Sequence, residues 1–103
     1  MDNLELVSFQ IISSVGEAKS ALFEVLELSR EEKFEEAEKK IQEAEEAILK
    51  AHQSHFSLIQ EEASGNKVEP SLLLIHAEDQ LMNVETLKSF AKEMILLHKK
   101  YSK

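Results

Sequence analysis

One segment decides the fold of this chain of 103 residues: Ser64-Gly65-Asn66-Lys67-Val68-Glu69-Pro70. It contains the only proline and one of the two glycines, whereas the rest of the sequence is rich in the good helix formers Glu, Lys, Ala and Leu. Gly65 suits the left-handed position that ends a helix, and Pro70 suits the first turn of the next helix. The segment therefore predicts a turn between two helices, the later of which runs from about Pro70 to Lys100.

Two more helices are predicted before this turn. The first runs from about Leu4 to Leu28, and its apolar residues recur every three or four positions, as one buried helix face requires. These residues are Leu4, Val7, Ile11, Val15, Ala18, Leu22 and Val25. The second helix begins after Ser29, which forms a capping-box pattern with Glu32, and it ends near Ala63. Its stripe, with the same spacing, consists of Phe34, Ala37, Ile41, Ala44, Ile48, Ala51, His55 and Leu58.

Short connections force consecutive helices to run antiparallel. The predicted fold is therefore all-α, an up-down-up three-helix bundle, and the length fits a single domain spanning residues 1–103. Gly16 lies in the middle of the first helix, where a glycine costs about 1 kcal/mol relative to alanine. We expect the close approach of another helix to be the reason for this glycine.

The charge and composition exclude several classes of function. The chain has 20 acidic and 12 basic residues and a net charge of −8, which argues against binding to nucleic acid phosphates. It has no cysteine, so it has no disulfide, no thiol nucleophile and no Cys-ligated zinc. Its start does not resemble a signal peptide, and no apolar run approaches the roughly 18 residues of a membrane span. We expect a cytoplasmic protein that does not insert into the membrane.

The third helix has more apolar surface than one buried face needs. One stripe can pack against the first two helices and consists of Leu73, Ala77, Leu81, Val84, Ala91 and Ile95. A second stripe consists of Leu72, Ile75, Met82, Phe90, Met94 and Leu97. Polar residues lie between the two stripes, namely His76, Asp79, Asn83 and Thr86. Because a lone bundle would expose the second stripe to water, this pattern predicts an oligomer.

His76 is the candidate functional residue, because an ionisable side chain in such an apolar stretch costs free energy unless it is paired. A neutral imidazole is also a competent nucleophile near neutral pH. Taken without further motifs, a histidine in this setting is more often structural. The same holds for His52 and His55, which lack the spacing and the glutamate of a metalloprotease helix. His98, near a helix C-terminus, suits the helix dipole.

A family resemblance runs along nearly the whole chain. Ser71–Met82, which contains His76, resembles the active-site motif of the lactose/cellobiose-type enzyme IIA proteins of the bacterial phosphoenolpyruvate-dependent sugar phosphotransferase system. Other segments resemble the first and second helices of this family, namely Phe9-Gln10-Ile11-Ile12, Gly16-Glu17-Ala18-Lys19-Ser20, Phe34-Glu35-Glu36-Ala37-Glu38, Ala51-His52 and Glu62-Ala63-Ser64-Gly65. Two positions differ from the commonest motif, since Glu78 stands where Gln is usual and Gln80 where His is usual.

The resemblance implies a role for each of two residues. His76 corresponds to the phosphorylated histidine of the family, and Asp79 to the aspartate that coordinates a metal at the axis of a homotrimer. Three carboxylates that meet at an axis cannot all remain charged and unpaired, so either a cation binds them or protons are retained. The metal expected there is Mg²⁺, one ion for each trimer.

The resemblance also implies the partners. Phospho-HPr would donate the phosphoryl group to His76, and the cysteine of a cognate enzyme IIB would accept it, with the membrane enzyme IIC contacted only indirectly. The sugar would be a β-linked disaccharide of the lactose, cellobiose or chitobiose class. Two alternatives are open: a non-catalytic helical interaction module, and a regulatory relative that receives phosphate without passing it on. His76 together with Asp79 argues against the first alternative, because an adaptor needs neither.

Overall fold

The computed structural model describes residues 2–103, and these form three long helices joined by two short turns. The helices are α1 (Asn3–Arg30), α2 (Phe34–Ala63) and α3 (Leu72–Tyr101). The described residues contain no β-strand, so the all-α prediction is confirmed. The molecule measures 57 × 23 × 19 Å, as expected for long helices packed side by side.

Bonds between α2 and α3 show that these helices run antiparallel. Residue numbers on α3 fall as those on α2 rise, through the pairs Glu38–Lys99, Glu45–Lys92, His52–Glu85 and His55–Glu78. Every helix packs against both of the others. The up-down-up three-helix bundle predicted from the short connections is therefore confirmed, and α1 and α3 run parallel.

The core consists of the predicted stripes with one change of register at the start of α3. Six of the seven α1 stripe residues are buried, and Leu4 packs at the edge of the core. On α3 the buried residue is Leu74, whereas Leu73 is only half-buried, so the prediction for Leu73 was wrong. Both residues lie one turn before Ala77, and helix periodicity alone does not distinguish them. The packing of α3 on its neighbours selects Leu74.

The first turn differs from the predicted capping box. Ser29 is fully buried inside α1, and its hydroxyl donates to the carbonyl oxygen of Val25 at 2.7 Å instead of capping α2. A buried serine in a helix commonly satisfies its hydroxyl in this way. The residue before α2 is Lys33, whose side chain makes no capping hydrogen bond. Glu32 adopts a left-handed conformation with φ of 60° and ends α1.

The second turn is the one predicted from its glycine. Gly65 has φ of +91° and follows α2, and the N–H of Asn66 donates to the carbonyl oxygen of Glu61 at 3.0 Å. These features define a Schellman motif, which satisfies carbonyls at the helix end. Gly16 is different, because a Cβ added there would meet nothing within 4 Å. The expected close approach of a helix to Gly16 is therefore absent among the described residues.

Candidate functional site

The candidate site lies in the second turn of α3, close to the capped N-terminus of this helix. The hydroxyl of Ser71 accepts a hydrogen bond from the N–H of Leu74 at 3.1 Å, so Ser71 is the N-cap. Pro70 precedes this cap and lies two residues before the first residue of α3, so its predicted place in the first turn was wrong. The cap satisfies one of the free N–H groups at the start of the helix and stabilises its first turn.

His76 lies on the face of α3 that points away from the bundle. It is exposed, as are Asp79, Asn83 and Thr86, so the polar stripe predicted from their spacing is present. We call this surface, with its neighbouring apolar side chains, the outer face of α3. The exposed fractions of those apolar neighbours are high, at 83% for Leu72, 53% for Ile75, 55% for Met82, 57% for Phe90 and 46% for Leu97.

The outer face is not the only exposed apolar surface. Large apolar side chains on the other helices are also exposed, namely Leu6, Phe9, Phe23, Leu49, Phe56 and Ile59. Phe9 and Phe23, on α1, have no covering partner within residues 2–103. The unburied apolar surface therefore extends around the bundle, well beyond α3.

Two histidines of α2 bond to two glutamates of α3 on one side of the outer face. Nε2 of His55 lies 2.7 Å from Oε2 of Glu78, and Nε2 of His52 lies 2.7 Å from Oε1 of Glu85. In both bonds an imidazole N–H donates to a carboxylate. The hydrogen bond from His52, with the help of the Lys88 ammonium, lowers the pKa of Glu85 below its usual value of 4.5. These bonds tie α2 to α3, in keeping with structural histidines.

Lys19 belongs to α1 and contacts α3 on the side of the outer face opposite to the two histidines. Its ammonium donates to Oε1 of Gln80 at 2.7 Å, one helical turn after His76. Glu78 and Gln80, the two positions at which the sequence departs from the commonest motif, thus both bond to a neighbouring helix. Prediction from sequence missed Lys19, although the sequence contains a signal. Lys19 is a single lysine among residues on a second side of α1, namely Phe9, Ile12, Gly16 and Phe23.

One chain does not by itself provide a complete metal site. Within residues 2–103 no group of three or more His, Cys, Asp or Glu side chains is placed to hold a metal ion. Asp79 is exposed and takes part in no hydrogen bond or ion pair with another described residue. Its oxygens are hard ligands of the kind that Mg²⁺ prefers, and they are free to bind. Asp79 therefore fits a metal site only where several copies of the chain bring their carboxylates together.

The surface around His76 is open and forms part of a helix face. A depression of about 420 Å³ lies elsewhere, between α1 and α2, and its lining includes Glu24, Glu27, Glu31, Glu36 and Glu43. This acidic depression has no residue in common with the outer face of α3. A nucleophile on an open helix face is accessible to a large reactant such as another protein.

Among the described helices, none is both long enough and apolar enough to cross a membrane.

Comparison with known proteins identifies the family. Residues 6–99 match the family described as "PTS system, Lactose/Cellobiose specific IIA subunit". The lactose-specific EIIA component of Staphylococcus epidermidis is 37% identical over 101 residues, which are 98% of this chain and 97% of that protein. The oligo-beta-mannoside-specific EIIA component of Bacillus subtilis is 42% identical over 95 residues, which are 92% of this chain and 86% of that protein.

A solved structure agrees in fold as well as in sequence. The cellobiose-specific enzyme IIA of Bacillus anthracis superimposes with a TM-score of 0.93 at 45% identity, covering 97% of this chain and 92% of that one. The agreement includes the three-helix architecture, and the resemblance seen in the motifs is confirmed over almost the entire length. The chain therefore belongs to the lactose/cellobiose-specific enzyme IIA family of the sugar phosphotransferase system.

Proposed function

We propose that this chain is a phosphocarrier that accepts a phosphoryl group from phospho-HPr on His76 and passes it to the cysteine of a cognate enzyme IIB. The observation that supports this proposal most strongly is the position of His76 in a member of this family. It is an exposed imidazole on the apolar outer face of α3, and no described residue holds it in a structural hydrogen bond. His52 and His55, by contrast, each bond to a glutamate of α3.

The reaction at His76 is a transfer between nitrogen atoms. The lone pair of one ring nitrogen attacks the phosphorus of phospho-HPr, and a new N–P bond forms as the old one breaks. The electron pair of the broken bond returns to the donor imidazole, which takes up a proton, while the second nitrogen of His76 loses one. In the next step the thiolate of enzyme IIB attacks the same phosphorus, the electron pair of the N–P bond returns to His76, and the imidazole regains the proton that it lost. Such transfers depend mainly on positioning and charge stabilisation.

The apolar neighbours of His76 suit the docking of both protein partners. Leu72 lies one turn before His76 and Ile75 lies one residue before it, and both are exposed. Burial of apolar area stabilises a complex by roughly 25 cal/mol for each Å² removed from water. Their burial under HPr or enzyme IIB would also exclude water from a labile phosphohistidine. We expect the same broad apolar surface to support a homotrimer, since exposed apolar area of this extent favours association.

In that homotrimer, the Asp79 side chains of three copies would hold one Mg²⁺ at the three-fold axis. The ion would neutralise carboxylates that otherwise repel each other, and would thereby stabilise the assembly. Asp79 follows His76 by one helical turn, and its role is separate from the phosphoryl transfer. No step of the transfer requires the ion.

The sugar belongs to the β-linked disaccharide class of lactose, cellobiose and chitobiose. The relatives named above are specific for lactose, oligo-beta-mannoside and cellobiose at similar levels of identity, so identity does not select one of them. We place the protein in the cytoplasm, where it would exchange phosphate with HPr and enzyme IIB. Contact with the membrane enzyme IIC would be indirect.

The substitution His76→Gln tests the proposal. We expect the variant to retain its helical circular dichroism and to acquire no acid-labile phosphate from phospho-HPr. The matched control is His98→Gln, which removes a half-buried histidine from the far end of the same helix and leaves phosphorylation intact. Acid-labile phosphate on His76→Gln would contradict the proposal. Phosphorylation of the native chain without transfer to any enzyme IIB cysteine would favour the regulatory alternative, and no phosphorylation would favour the interaction module.

A further inference from the structure

Lys19 has a charge environment that sets it apart from the other lysines. Three lysines are half-buried: Lys19, Lys40 and Lys88. Lys40 forms an ion pair with Glu24 at 2.9 Å, and Lys88 forms one with Glu85 at 3.3 Å. Lys19 forms no ion pair with any residue of the described chain and donates only to a neutral amide. In a protein of net charge −8, most partly buried lysines can find a carboxylate partner, and Lys19 has none. An anion bound beside Lys19 would offset the cost of partly burying its charge.

Gln80 brings this ammonium towards His76. The two residues are four positions apart, hence on the same side of α3 and about 6 Å apart along the helix axis. Side chains of a helix lean towards its N-terminus, so the amide of Gln80 lies over the turn that carries His76. The Lys19 ammonium, 2.7 Å from Oε1 of that amide, therefore lies beside the same turn.

The turn of α1 before Lys19 lacks a side chain at one position. Because α1 and α3 run parallel and Lys19 bonds to Gln80, this turn precedes the contact on α1 as the turn of His76 precedes it on α3. That turn carries Gly16, which is exposed and has no side chain, and a Cβ there would meet nothing within 4 Å. No side chain at that position can separate Lys19 from a group attached to the His76 ring.

We propose that Lys19 binds the phosphoryl group while His76 carries it, an inference that rests on the proposed function. An ammonium has three N–H donors, so Lys19 can keep its bond to Gln80 and donate to a phosphoryl oxygen as well. The phosphorylated imidazole adds negative charge to an acidic protein, and Lys19 supplies the compensating positive charge from within the same chain. Gln80 accepts the hydrogen bond that holds the ammonium beside this turn.

The test is the equilibrium of phosphoryl exchange with HPr. Equal amounts of phospho-HPr and protein are mixed, and the ratio of the two phosphorylated proteins is read on a native gel. We expect Lys19→Gln to shift this ratio towards phospho-HPr by about tenfold, the lower range for a charge-assisted hydrogen bond at a partly exposed site. Lys19→Arg, which keeps the charge, should stay within about threefold of the native ratio.

The matched control is Lys50→Gln on α2, which removes one exposed lysine that forms no ion pair with a described residue. We expect it to leave the exchange ratio unchanged. An unchanged ratio for Lys19→Gln, or an equal shift for Lys50→Gln, would overturn the assignment. If Lys19→Gln fails to fold by circular dichroism, Lys19→Met tests the same loss of charge with an apolar stem. If the native chain acquires no phosphate, the proposed function itself is refuted, and the two failures are thus distinct.

Discussion

The inner and outer faces of α3 are built from similar apolar residues and differ in what covers them. On the inner face Ala77, Leu81 and Val84 are fully buried against the other helices. On the outer face Met82, the residue after Leu81, is 55% exposed and lies near His76 and Asp79. The inner face therefore stabilises the monomer, whereas the outer face leaves its apolar area exposed, where the proposed association would bury it. The ionisable side chains stand where a folded monomer does not have to desolvate them.

The largest effect of this difference is expected from substitutions of the adjacent residues Leu81 and Met82. We expect Leu81→Ala to lower the free energy of unfolding by about 3 kcal/mol at every protein concentration, because it leaves a cavity in the core. Met82→Ala should change the stability of the monomer by less than about 0.5 kcal/mol, as is usual for exposed positions. Its effect should appear as a loss of the concentration dependence of Tm, because association stabilises the folded state by mass action.

Denaturant and thermal unfolding at two concentrations, about a hundredfold apart, would measure both effects. Equal losses in the free energy of unfolding for Leu81→Ala and Met82→Ala at low concentration would show that the two faces contribute equally to the stability of the monomer. If Tm of the native chain were independent of concentration, association through the outer face would be contradicted.

Asp79 tests the outer face at its polar centre. If three Asp79 carboxylates hold Mg²⁺, removing the ion with a chelator leaves them unneutralised, and we expect the trimer to weaken by about tenfold or about 1.4 kcal/mol. Asp79→Asn should be insensitive to the chelator. The measurement is the mass of the complex by sedimentation as a function of concentration. A native trimer of equal stability in excess chelator would argue against the ion, and protonated carboxylates would then account for the assembly.

The smallest effect is expected from Glu85, at the boundary between the two faces. Its pKa in the folded state is lowered, first by the hydrogen bond from His52. The contribution of this carboxylate to stability is therefore complete above its ordinary pKa of 4.5 and is lost as the pH falls through the lowered value. Because the side chain is partly exposed, we expect a contribution below about 1 kcal/mol.

Stability measured in denaturant between about pH 6 and pH 3 would show this contribution. Glu85→Gln should lose a part of the acid dependence, and Glu93→Gln, at an exposed position on the same helix without an ion pair to a described residue, should retain it. An identical pH profile for Glu85→Gln and the native chain would exclude the His52–Glu85 bond as a source of stability.

The two turns show how far local sequence predicts the fold. Both end a helix with a left-handed residue and the same pattern of hydrogen bonds, but one residue is Gly65 and the other is Glu32. Glycine adopts this conformation without steric cost, so Gly65 is a visible signal. Glu32 has no such preference, and the pattern of Ser29 and Glu32 suggested a capping box instead. Ser29 is buried by the packing of α1, which a local pattern does not contain.

The sequence by itself determined the three helices, most of the buried stripes and the position of His76 and Asp79 on one side of α3, because helix periodicity places residues three and four apart on one face. Only the tertiary structure decided which side chains meet across helices. Lys19 and Gln80 are 61 residues apart in the chain, and His55 and Glu78 are 23 apart. Their contacts depend on how far each helix is shifted along its neighbour, and that shift follows from the packing of the whole core rather than from the spacing within any one helix.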